Sequence, residues 1–160
     1  EIFQEMRANV DTPMLSKDFM VDEYQIYQAK LMGADAVLLI CAILNSEQLK
    51  KYLELCDNLC LSAMVEVHNE QELQMAAVVG ARIIGVNNRD LRDFSVDTGN
   101  SRHLRMLAPT EALFVAESGI QTASDVQQLR QAGVDAVLVG ESLMRAANKS
   151  KMLRKLRGNP

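Results

Sequence analysis

The chain has no tryptophan, and aromatic residues make up only 4% of its 160 positions. Alanine, leucine, valine and methionine carry the apolar content instead, as expected where helices pack on buried parallel strands. This composition argues against a β-sandwich. Cysteine is equally sparse: Cys41, Cys56 and Cys60 are odd in number and contain no CxxC pair. That excludes a disulfide scaffold and leaves no metal-ligand framework, so free thiols in a reducing cytoplasm are expected. No apolar run approaches the ~20 residues needed to span a bilayer, and the N-terminus carries no signal-peptide pattern. Positive charge is not concentrated either. The 17 basic residues are scattered and the formal net charge is −4, which offers no footprint for nucleic acid and favours a small-molecule partner.

What is present is a rhythm. At 48% hydrophobic and 24% charged residues, the composition suits a single compact domain spanning residues 1–160. Short apolar or β-branched runs alternate with longer amphipathic stretches, the pattern of βα units and a parallel sheet. The strands are expected over Pro13–Lys17, Asp35–Ile40, Leu61–Val67, Arg82–Val86, Leu113–Glu117 and Asp135–Gly140. Helices are expected over Asp22–Met32, Ser46–Asn58, Asn69–Val79, Asp97–Leu107 and Thr122–Ala132, with a final region from Glu141 to Arg157. Ile2, Phe3, Met6 and Val10 lie at helical spacing, so the chain begins inside a helix. A weak repeat, Gly33-Ala34-Asp35, Gly80-Ala81-Arg82 and Gly133-Val134-Asp135, ends a helix and opens a strand every two units.

The other strands end in charge: Lys17, Glu66 and Glu117 lie at or near their C-terminal ends. In a parallel α/β fold that end carries the active site, and an unpaired charge deeper in the sheet would cost several kcal/mol. Period-2 alternation puts Glu66 on one face with Met64 and Ser62, and Ala63, Val65 and Val67 on the other. An amine and two carboxylates converging there form either a general acid/base set or a structural ion-pair cluster. After the fourth strand, Asn87-Asn88-Arg89-Asp90-Leu91 offers amide and guanidinium donors suited to hydroxyl and carboxylate groups; alternatively the asparagines serve turn geometry and Arg89 pairs with Asp90 or Asp93. Ser118-Gly119 and Gly140-Glu141-Ser142 follow the last two strands, where glycine lets an oxyanion approach backbone N–H groups. His68 and His103 are too far apart for a metal pair and are expected in loops or on the surface. The cations from Lys149 to Arg157 suit the solvated face of a C-terminal helix.

Pro13-Met14-Leu15-Ser16-Lys17-Asp18-Phe19, Val65-Glu66-Val67-His68, Asn87-Asn88-Arg89-Asp90-Leu91, Ala116-Glu117-Ser118-Gly119-Ile120 and Gly140-Glu141-Ser142-Leu143-Met144, in this order, resemble the indole-3-glycerol phosphate synthases. The resemblance covers nearly the whole chain. It implies a (β/α)8 TIM barrel, here incomplete, with six βα units corresponding to strands three to eight. It also implies a cytoplasmic, cofactor-independent lyase of tryptophan biosynthesis, converting 1-(2-carboxyphenylamino)-1-deoxyribulose 5-phosphate to indole-3-glycerol phosphate. Carried over motif by motif, Lys17 would be the general acid for ring closure, Glu66 would assist proton transfer in dehydration, and Glu117 would orient the lysine and the substrate hydroxyls. Asn87 would hold a hydroxyl of the chain. Phe19, Leu38, Leu91 and Leu138 match positions packed around the aromatic ring, and Arg89 a polar position near the mouth. Ser118, Gly119, Gly140 and Glu141 match the phosphate contacts. Some relatives have serine where Glu141 stands, so its carboxylate would have to point away.

A complete barrel of this kind needs about 250 residues. The family's first two strands supply a further catalytic glutamate and a lysine, so the resemblance, the missing initiator Met and the start inside a helix imply a segment of a longer enzyme, itself inactive. Its two unpaired edges would then seek a second copy or the missing strands. The competing expectations are another phosphate-binding barrel, such as phosphoribosylanthranilate isomerase, and a non-catalytic phosphate-binding partial barrel.

Overall fold

A computed structural model describes residues 2–90 and 94–158. It shows a single parallel sheet wrapped by helices. The order along the chain is α1 (Ile2–Arg7), β1 (Leu15–Ser16), α2 (Glu23–Leu31), β2 (Ala36–Ile40), α3 (Ser46–Asn58), β3 (Ser62–Val67) and α4 (Glu70–Val78), then β4 (Ile83–Asn87), α5 (Gly99–Arg105), β5 (Leu113–Glu117), α6 (Ala123–Gln131), β6 (Ala136–Leu138), α7 (Glu141–Arg145) and α8 (Lys149–Leu156). The strands pair strictly in sequence order, β1 to β6, and all pairs are parallel. Among the described residues β1 and β6 do not pair with each other, so the curled sheet is an incomplete (β/α) barrel with two edges.

Local chemistry explains the boundaries. Asp22, Asn45 and Thr122 cap α2, α3 and α6, each accepting from a backbone N–H of the first turn while Gln25, Gln48 or Asp125 reaches back to the cap. Gly33, Gly80 and Gly133 leave their helices at φ of 89°, 80° and 80°, the left-handed conformation that glycine adopts without a Cβ clash. The aspartates of the repeat do matched work. Asp35 accepts from the Met14 N–H at 2.7 Å and Asp135 from the Phe114 N–H at 2.8 Å, so each ties the start of its own strand to the preceding one. Arg82, at the second copy, instead pairs with Asp57 on α3.

Alternation along the strands divides the core. Val37, Leu39, Ala63, Val65, Val67, Ile84, Val86 and Phe114 face the helices, where they meet Ile26, Leu49, Tyr52, Cys56, Leu73 and Leu104. On the inner face Leu38, Ile40 and Met64 pack with Leu15, Ile83, Val115 and Leu138. The expected edge strands, Pro13–Lys17 and Asp135–Gly140, are shorter in the structure, because each has a ladder on one side only. The final helical region is two helices, interrupted at Ala146, whose backbone is extended before Asn148 caps α8.

Candidate active site

The parity that places Met64 and Leu38 inside also brings Lys17, Glu66, Asn87 and Glu117 to one end of the sheet. Strand register sets their spacing: Glu66 lies opposite Ile40 and Gly85, and Glu117 lies opposite Asn87 and Leu138. Lys17, one residue beyond β1, reaches across the mouth so that its Nζ donates to Glu66 Oε2 at 3.0 Å and stands 3.1 Å from Glu117 Oε2. Asn87 Nδ2 donates to the other Glu66 oxygen, Oε1, at 3.2 Å. The carboxylates are almost sealed, Glu66 at 2% exposure and Glu117 at 1%.

Two buried carboxylates sharing one amine cannot both be comfortably ionised. Burial, reinforced by the charge of Glu66, pushes Glu117 from its ordinary value up to about 6, despite the opposing pull of Lys17. Burial draws the Lys17 amine down, but Glu117 and Glu66 outweigh it and hold the amine above its ordinary value. The site therefore keeps a protonated amine beside a carboxyl group that can exchange its proton near neutrality, the requirement for acid/base work.

Gly85 makes this geometry possible. A Cβ there would overlap Glu117 Oε1, so the carboxylate occupies the space a side chain would fill. Sequence reasoning passed over it, although an isolated glycine within a strand is a signal of close approach.

Beside the amine lies a cleft of about 570 Å³, lined by Lys17, Arg89, Glu117, Ser118, Gly119, Leu138, Gly140, Glu141 and Ser142 among others. Ser118 and Gly119 both have positive φ, 65° and 76°. The Ser118 conformation costs about 1–2 kcal/mol for a residue with a Cβ and is held from both sides: its hydroxyl donates to Asn87 Oδ1 at 2.8 Å and its carbonyl accepts from Asn88 Nδ2 at 3.1 Å. At Gly119 a Cβ would strike Val96 and Thr98. The Ser142 hydroxyl donates to the Ile120 carbonyl at 2.9 Å, tying the two loops of the cleft together.

Most of the expected site residues converge here. Leu138 lines the cleft and Leu38 lies buried in the inner apolar cluster beneath it. Phe19 does not join them: the residue is 57% exposed and does not line the cleft beside the amine. Leu91 lies outside the described residues. Arg89 donates to Glu141 Oε2 at 3.1 Å and to the Phe94 carbonyl. Glu141 therefore does not turn away from the cleft. Arg89 and Arg145 hold its carboxylate at the rim, because two guanidinium groups neutralise it there.

His68 lies in the loop just past β3, as expected, but it faces the site. His103 is the exposed histidine, paired with Glu70, whereas His68 is largely buried between two carboxylates. Its Nε2 stands 3.4 Å from Glu66 Oε1 and its Nδ1 3.2 Å from Glu72 Oε2. Strand parity carries the signal: residue 68 continues the inward series of 64 and 66 one step past β3. The Glu72 hydrogen bond holds the imidazole above its ordinary value against the effect of burial, with Glu66 and Asp90 adding to it. Asn88 anchors α5 to the site, its side-chain oxygen accepting from both the Ser101 N–H and hydroxyl.

Residues 1–156 match the family model described as indole-3-glycerol phosphate synthase. Proteins of that name from Lachnoclostridium phytofermentans and Leuconostoc mesenteroides are 54% and 52% identical, covering 98% and 99% of this chain. They are longer: the chain spans 58% and 60% of their lengths. Among solved structures, 3-hexulose-6-phosphate synthase from Salmonella typhimurium superposes with a TM-score of 0.74 at 14% identity, covering 98% of this chain and 77% of that one. Thiamine phosphate pyrophosphorylase from Pyrococcus furiosus gives 0.72 at 20% identity, covering 97% and 70%. These two likenesses establish the barrel-type fold alone.

Proposed function

Since the chain belongs to the indole-3-glycerol phosphate synthase family, we propose that it forms the catalytic end of an enzyme that closes 1-(2-carboxyphenylamino)-1-deoxyribulose 5-phosphate to indole-3-glycerol phosphate, with loss of carbon dioxide and water. The observation that carries this reading is the Lys17 amine held between Glu66 and Glu117 at the strand ends, beside a glycine-lined cleft. The protonated amine would polarise the substrate carbonyl as the aromatic ring attacks and then protonate the departing oxygen. Glu66 would take up a proton as the ring dehydrates. Glu117 would orient the amine and the substrate hydroxyls, with Asn87 holding another hydroxyl.

The phosphate would sit between Ser118-Gly119 and Gly140-Glu141, where backbone N–H groups are approachable and no Cβ intervenes at the glycines. Leu38, Leu91, Leu138 and Phe19 would surround the aromatic ring, which requires Phe19 to fold in over the bound substrate. The six-stranded sheet alone, with both edges open, would associate and lack turnover, since groups acting as a unit fail together.

Indole fluorescence of the product tests the assignment in the full-length enzyme carrying these residues. Turnover of this substrate is expected, and Lys17→Ala is expected to lower kcat by about 10²-fold or more with KM little changed, because a general acid acts mainly in the transition state. An enzyme that ignores this substrate but isomerises phosphoribosylanthranilate refutes the assignment.

A further inference from the structure

Glu66 is buried between two clefts. On one side lie Lys17 and the cleft proposed for the substrate; on the other lies a polar cleft of about 450 Å³ whose lining includes His68, Glu72, Asn87, Asn88 and Asn100. A substrate seated against Lys17 covers the first side. A proton taken up by Glu66 then has two routes: back to Lys17, 3.0 Å away, or out through the second side, where His68 and Glu72 stand in line. Glu66 Oε1 faces His68 Nε2 at 3.4 Å, a buried nitrogen with no hydrogen-bond partner, and His68 Nδ1 faces Glu72 Oε2 at 3.2 Å. The backbone of His68 and the Glu72 carboxylate are held in place. Glu72 Oε2 also accepts the His68 backbone N–H at 2.8 Å, Asn69 donates to Glu72 Oε1 at 2.9 Å, and Asn100 donates to the His68 carbonyl at 2.9 Å. His68 and Glu72 are 15% and 17% exposed, against 2% for Glu66, so the line runs from the sealed carboxylate outward to the cleft.

We propose that His68 and Glu72 form a proton relay connecting Glu66 to water in the polar cleft, acting through Glu66 as positioning residues. The proposal rests on the enzymatic reading above. In the resting relay His68 carries its proton on Nδ1, donated toward Glu72, and presents the Nε2 lone pair to Glu66. When Glu66 has accepted a proton from substrate, the proton passes from Oε1 to Nε2; the imidazolium then releases its Nδ1 proton to Glu72 or to cleft water. One proton enters the ring and one leaves, so Glu66 is again an anionic base and the ring is left protonated on Nε2; turning the imidazole over about χ2 restores the resting tautomer. Carboxylates on both sides stabilise the transient imidazolium, which makes the ring a competent acceptor from a carboxylic acid. Among the described residues, the ionisable groups that act on the ring are Glu66 from β3, Glu72 from α4 and Asp90 from the segment after β4, each acidic.

The ring must be neutral to accept, so kcat should rise with pH through the titration of His68. In the full-length enzyme, NMR titration of the His68 imidazole and the acid limb of kcat should coincide above the usual histidine value. Glu72→Gln should move both to lower pH. His68→Gln, which keeps a donor but cannot titrate, should lower kcat about tenfold or more with KM within about twofold, and added imidazole should restore part of the rate. A His68→Gln enzyme with unchanged kcat and acid limb overturns the relay, as does a limb that ignores Glu72→Gln; the second variant decides the matter if the first misfolds. Absence of any turnover by the unaltered enzyme fails the functional reading instead. The NMR titration is independent of turnover, and a His68 titration that Glu66→Gln and Glu72→Gln both leave in place overturns the relay too.

Discussion

Glu117→Gln should stabilise the protein while disabling it. In the folded chain burial and the neighbouring charge of Glu66 raise this carboxyl from its ordinary 4.5 to about 6. A group that binds its proton more tightly folded than unfolded contributes most below its unfolded value, and that contribution is lost as pH rises through its folded value. At about 1.4 kcal/mol per tenfold change in proton affinity, ionising Glu117 in place costs about 2 kcal/mol once the pH is well above 6. Glutamine keeps the shape, leaves an oxygen for Lys17 and removes that cost. Urea denaturation of the full-length enzyme at pH 8 should show a gain of about 2 kcal/mol, or about 1 M in the midpoint for a slope near 2 kcal/mol/M. At pH 4, where the carboxyl is mostly protonated in both states, the gain should shrink to no more than about 0.2 kcal/mol. Turnover should fall by orders of magnitude, since Lys17 loses one of its two anionic partners. Equal gains at both pH values, or a loss at pH 8, would refute the picture of Glu117 as a strained, buried charge.

Gly85→Ala should cost about 1–3 kcal/mol of stability and displace the Glu117 carboxylate from Lys17, so that kcat falls in a protein whose circular dichroism is unchanged. A fully active Gly85→Ala enzyme would mean that the close packing over this strand does not hold. Crystals of the full-length enzyme soaked in sulfate or phosphate should place the anion between Ser118-Gly119 and Gly140-Glu141; an anion seated on Arg89 outside the cleft would remove that placement. Burial pushes the thiols of Cys41 and Cys56 up to about 12, whereas Cys60 is exposed. Iodoacetamide at pH 8 with mass mapping should therefore label Cys60 and spare the other two until denaturant is added, and rapid native labelling of Cys56 would contradict its burial.

Much of the architecture was legible because it is written locally. Glycine after a helix, a capping residue before the next, and two-residue alternation between them each depend on neighbours a few positions away. This is why the six βα units and the inward face of Glu66 could be read directly, and why the motif order already resembled one family. The edge strands were less legible, since their extent depends on whether a neighbouring strand completes the ladder. The chemistry of the mouth was less legible still. Spacing in the chain could not decide whether Lys17, Glu66 and Glu117 met or merely lined the same rim; the register of five strand pairs decided it and brought one amine within about 3 Å of two carboxylates. Tertiary structure alone paired Arg89 with Glu141, left Phe19 in solvent and turned His68 toward Glu66. These outcomes hang on long-range electrostatics and burial between segments 49 to 100 residues apart in the case of Lys17 alone, whereas helices and strands are set by contacts within a few residues.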